Sequence, residues 1–81
     1  MAGATVSPQV ANEAYSITKS DTLPNLFSYI YVGVTGNVVV TPEFGGSDVT
    51  FVGVPAGSYI WLRTKFVKST GTTASSMIGF K

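Results

Sequence analysis

Catalysis requires an acid, a base or a nucleophile in a productive arrangement, and this chain offers few of them. Its carboxylates are Glu13, Asp21, Glu43 and Asp48, and it contains no histidine and no cysteine. No two carboxylates are close in sequence, and they lack the ligand spacing of a calcium loop. Disulfides and ordinary zinc sites need residue types that are missing. Ser75-Ser76 and the turn Thr70-Gly71-Thr72-Thr73 offer hydroxyls with no neighbouring base. Gly33-Val34-Thr35-Gly36 lacks the lysine and the following helix of a phosphate loop. The residues therefore predict no enzymatic activity, no metal and no cofactor.

Binding chemistry has a better case. Tyr59, Trp61, Arg63 and Lys65 recur at every second position, and mixed aromatic and basic residues are enriched at protein interfaces. The same residues would also suit a solvated face whose Lys and Arg stems cover the rings. A weaker fit is a stacking platform for single-stranded nucleic acid or for carbohydrate. The net charge of +1 is too small for a nucleic-acid footprint. A small carbohydrate- or receptor-binding β-domain is thus the alternative from a different functional class.

The elements that must position these residues are strands. Residues 1–14 contain Gly3, Ser7, Pro8 and Asn12 and read as an extended N-terminal arm, either disordered or ordered against a neighbouring subunit. Beyond them, residues 15–81 read as one β-domain. Tyr15–Thr18 is a short first strand and Leu26–Val34, rich in β-branched and aromatic residues, a second. Gly36-Asn37 suits a tight hairpin turn, with 38–41 returning. Asp48–Val54 is the next strand, with Gly53 marking a bulge that restores Val54 to the core side. Val54-Pro55-Ala56-Gly57 fits a type I turn. Ser58–Lys68 is the longest strand and Ala74–Phe80 the last. The expected fold is all-β, a small antiparallel sandwich or barrel of about six strands.

Alternation assigns faces. On the longest strand Ile60, Leu62, Thr64 and Phe66 form the core side, opposite Tyr59, Trp61, Arg63, Lys65 and Val67. Ile78 and Phe80 join the core, with Met77 opposite. On the strand 26–34, Ile30, Val32 and Val34 share one face while Phe27, Tyr29 and Tyr31 share the other. Both faces of that strand are apolar or aromatic, and 81 residues are too few to cover both. A second subunit would cover the outer one. Phe27, Tyr29, Tyr31, Tyr59, Trp61, Arg63 and Lys65 are therefore the expected interface residues.

Composition points the same way. Charged residues are 11% and hydrophobic residues 44% of the chain, against about 25% charged in an average domain. Domains this small usually need a disulfide, a metal or oligomerisation, and only the last fits this composition. The N-terminus has no basic start before an apolar core, so it does not read as a signal peptide. Gly, Ser and Thr interrupt every segment long enough to span a membrane. A soluble protein that needs no oxidising compartment, binding neither membrane nor nucleic acid, is expected.

The order of several segments carries a resemblance. Tyr31-Val32-Gly33-Val34-Thr35-Gly36-Asn37-Val38 is followed by Val49-Thr50-Phe51, Val54-Pro55-Ala56-Gly57 and Val67-Lys68-Ser69-Thr70-Gly71-Thr72-Thr73-Ala74. From about Ser20 to the C-terminus the chain resembles the small head spike-base and capsid decoration (cement) proteins of tailed bacteriophages and gene transfer agents. The resemblance implies a virion protein on the capsid surface, made in the host cytoplasm and without catalytic activity. Its implied partners are itself, as a homo-oligomer with a trimer preferred, the major capsid protein, and a spike or fibre protein.

Overall fold

The computed structural model describes residues 11–81. Among them are seven strands: β1 (Ala14–Ser16), β2 (Tyr29–Val32), β3 (Gly36–Pro42), β4 (Val49–Val54), β5 (Ser58–Ile60), β6 (Thr64–Val67) and β7 (Ile78–Phe80), with no helix. One antiparallel sheet has the order β1-β7-β2-β5 and the other β4-β3-β6. The expected all-β class is met, as a small sandwich with one strand more than anticipated. Of the expected arm, residues 11–14 are described and residues 1–10 lie outside the described residues. Glu13 exchanges backbone hydrogen bonds with Lys81, and Ala14 already belongs to β1.

The two sheets meet through alternate residues. Ile30, Val32 and Ile60 come from the four-stranded sheet, and Val38, Val40 and Val67 from the three-stranded one; Ala74 and Met77 fill the gap between them. Full burial of each large apolar side chain contributes about 1.5–3 kcal/mol. The buried hydroxyls are matched as burial requires. Thr64 Oγ1 donates to the Asn25 carbonyl at 2.8 Å, and Thr72 Oγ1 accepts the Val39 N–H at 2.9 Å.

The expected hairpin at Gly36-Asn37 is instead a crossing between sheets, because β2 and β3 lie in different layers. Segment 73–76 runs against this crossing, with Val34 bridged to Ser75 and Asn37 O accepting from Thr73 and Ala74. Gly33 and Gly36 are needed there for close approach: a Cβ on Gly33 would strike the Ser76 carbonyl, and one on Gly36 the Ala74 backbone. The bulge expected at Gly53 is present. Register shifts by one residue between Gly36 and Val38, Gly53 has φ +65°, and Val54 pairs Gly36 while packing on the core. The turn after β4 differs from the expected type I. It spans Pro55–Ser58, and Gly57, its third residue, has the positive φ (+85°) of a type II turn.

The single long strand expected over 58–68 is broken. β5 belongs to one sheet and β6 to the other, so residues 61–63 carry the chain across the sandwich. A second register shift follows, since Thr41 pairs Phe66 while Pro42 pairs Thr64. Lys65 is the extra residue of this bulge, which puts Thr64 and Val67 both on the buried side. Val67 is therefore core, not outer face as strict alternation predicts. The last strand is also inverted. Met77 is buried and Gly79 faces inward, while Ile78 and Phe80 lie half-buried on the outer face. Phe27 explains the inversion, because its ring occupies the space where any Cβ on Gly79 would stand.

Candidate interaction surface

The outer face of the four-stranded sheet carries one continuous aromatic patch. Register places Tyr31 opposite Tyr59 and Tyr29 opposite Phe80, and cross-strand neighbours on one face lie within contact range. Tyr29 and Phe80 stack with ring centroids 4.9 Å apart. Tyr59 and Trp61 stack at 5.1 Å, Tyr29 meets Trp61 at 4.9 Å, and Tyr31 meets Tyr59 edge-on at 5.3 Å. Each such pair is worth about 0.5–1.5 kcal/mol beyond its buried area, so the rings hold one another in place. Trp61 is nevertheless 68% exposed and Tyr59 44% exposed. An aromatic surface that is fixed and still wet on one side has the features of an interface anchor.

Four of the seven expected interface residues, Tyr29, Tyr31, Tyr59 and Trp61, are thus brought together. The other three are not. Phe27 is 8% exposed and packs inward against Gly79, with the Tyr15 ring 6.3 Å away. Ser28 breaks the alternation between Phe27 and Tyr29, so the parity argument that grouped Phe27 with the tyrosines fails. Arg63 Nη1 donates to Ser28 Oγ at 3.2 Å in the crossing segment. Lys65 stands on the other sheet, its ammonium 5.7 Å from the Phe66 ring centroid. Lys68 joins it over the same ring and pairs with Asp48 at 3.8 Å. Arg63 and Lys65 therefore lie apart from the Tyr29, Tyr31, Tyr59 and Trp61 rings, and the alternation along 59–65 does not form one mixed platform.

Phe80 completes the patch and was expected in the core; the signal for its true side was Gly79, a residue that leaves room for a ring. Phe44 is a second feature that alternation does not reveal. It caps the loop between β3 and β4 and is 93% exposed beside a shallow cleft lined by Pro42, Gly45, Leu62 and Arg63. Two of the four carboxylates accept hydrogen bonds within the fold. Asp21 accepts from the Ser69 and Thr70 N–H groups at 2.9 and 3.0 Å and from the Thr70 hydroxyl. Those bonds, the Thr70 hydroxyl first, hold its carboxyl below the usual carboxylate range. Asp48 accepts the Thr41 hydroxyl at 2.5 Å.

No family model matches the chain, and no curated protein does. Among solved structures, a chain in the capsid of a native GTA (gene transfer agent) particle, computed with C5 symmetry, shares 32% identity and a TM-score of 0.81. The match covers 95% of this chain and 92% of that one. The protein belongs to the family of that capsid chain. Near-complete coverage of both chains means that the sandwich is the shared unit, and that the aromatic patch is carried on the family's own fold.

Proposed function

We propose that the protein is a non-enzymatic structural component of a phage or gene-transfer-agent particle, decorating or cementing the capsid surface as a symmetric homo-oligomer. The membership in the GTA capsid-chain family carries this reading. The outer face of the four-stranded sheet supports it, because fixed aromatic rings left half-wet gain most from burial against another subunit. A lattice component needs only modest contacts, since many copies on one particle add through effective concentration. The major capsid protein and a spike or fibre protein are the further partners of this reading.

A second reading within the same class is the base of a head spike at a capsid vertex. A vertex base would take five copies around a five-fold axis, where a cement protein would be a trimer. Sedimentation velocity of the purified protein across micromolar concentrations tests both readings. A discrete oligomer is expected, of five copies for a vertex base. A monomer at every concentration that also fails to bind capsids would overturn the proposal.

A further inference from the structure

We propose that the free edge of β4 accepts the N-terminal residues of a neighbouring copy as an added strand. The inference rests on the homo-oligomer of the proposed function and names the contact that links its copies. Sheet edges expose unpaired backbone groups, and proteins usually guard them with charge, proline or brevity. The edge of β6 is covered by the chain's own segment 20–25, through Ser20 N–H to Val67 O at 2.9 Å and Asn25 N–H to Lys65 O at 2.8 Å. β1 and β5 are edges of three residues each. β4 is different: six residues, Val-Thr-Phe-Val-Gly-Val, with no charge and no proline, and a bulge only at Gly53 that leaves Val49–Phe51 in regular register.

Its outward groups can be identified. Val39 directs its N–H to Thr72 Oγ1 and its C=O to the Lys68 N–H, both away from β4. The β3–β4 ladder therefore runs through the pairs Val38–Phe51 and Val40–Val49, leaving the backbone groups of Thr50 and Val52 on an edge with no partner strand among the described residues. Val52 is also 78% exposed. An uncharged strand of high β-propensity in this position is a template for another strand.

The occupant follows from topology and sequence. β4 and β5 are joined by residues 55–57 alone, so they lie at the same end of the sandwich, and β1 is at the opposite end of the order β1-β7-β2-β5. Ala11, to which residues 1–10 attach, therefore lies beside β1, on the side away from β4. Copies arranged head to tail bring one copy's β1 end to the next copy's β4, a heterologous contact that rotational symmetry closes into a ring. Residues 1–12 contain no charged side chain, and Ala2, Ala4, Val6 and Val10 alternate with Gly3, Thr5, Ser7 and Gln9. Nine extended residues span about 30 Å, enough for the ~20 Å of β4. Pro8 selects the pairing side: in an added strand its missing N–H would face away, and Thr5, Ser7 and Gln9 would present their N–H groups to β4.

Because the chain has no cysteine, introduced pairs are the only thiols. Double variants combining Thr5→Cys, Ser7→Cys or Gln9→Cys with Thr50→Cys or Val52→Cys are oxidised in the assembled state and run without reductant. At least one register is expected to give a ladder of linked subunits up to the full ring. Monomer-sized products in all of them, unlinked or linked within one chain, would overturn the proposal. Val52→Lys places a charge on the edge at an exposed site and is expected to melt as the wild type does. It should raise the concentration for half-assembly at least tenfold; unchanged assembly would also overturn the proposal. A wild type that is monomeric in the same runs removes the homo-oligomer itself, whereas an oligomeric wild type with negative variants removes only the edge contact.

Discussion

Trp61→Ala separates what the aromatic patch does for the fold from what it does for assembly. In the isolated domain Trp61 is 68% exposed, so of roughly 250 Å² of Trp surface about 80 Å² is buried against Tyr29 and Tyr59. At about 25 cal/mol per Å² that is about 2 kcal/mol of folding stability. The remaining ~170 Å² contributes nothing until a partner covers it, and then contributes about 4 kcal/mol per copy by the same coefficient. Since about 1.4 kcal/mol is tenfold in affinity, the variant should assemble on the order of a thousandfold less tightly. Chemical denaturation at dilute concentration reads the first quantity; sedimentation velocity and capsid occupancy read the second. A variant that loses the 2 kcal/mol yet assembles and occupies capsids like the wild type would refute the interface reasoning. Loss of binding to a glycan with assembly intact would favour the rival ligand-binding class.

Phe27→Ala should behave in the opposite manner. Its ring is buried over Gly79, so the variant should lose about 3–5 kcal/mol of folding stability in denaturant titration. Any folded fraction should assemble normally, and selective loss of assembly would return Phe27 to the interface. Asp21 supplies a pH test. Its carboxyl is held below the usual range chiefly by the Thr70 hydroxyl and N–H, so its stabilising effect is complete above the unfolded pKa of about 4 and fades as pH falls through the folded value. Thermal melts from pH 7 to 3 should show the wild type losing stability below about pH 4 and Asp21→Ala losing less over that interval. Equal slopes would contradict the assignment.

Much of the fold was legible because strand signals are local. β-branched and aromatic runs, Pro42, the turn glycine Gly57 and the bulge at Gly53 all act on their immediate neighbours. What alternation missed came from interruptions that act at a distance. The Lys65 bulge is set by pairing with Thr41 and Pro42, and the break at 61–63 by the need to cross between sheets. The hairpin reading of Gly36-Asn37 failed because the missing Cβ of Gly36 answers segment 73–76, some forty residues later. The patch was legible in Tyr29, Tyr31, Tyr59 and Trp61. Phe27 and Phe80 exchanged sides because one ring packs over Gly79, a contact that no period within either strand encodes.

A reconstruction of the particle that carries this protein tests the central claim most directly. The account predicts copies on the outside of the capsid related by rotational symmetry, with Tyr29, Tyr59 and Trp61 of each copy buried against another protein surface. Particles lacking the protein, or copies whose aromatic face points to open solvent, would contradict it.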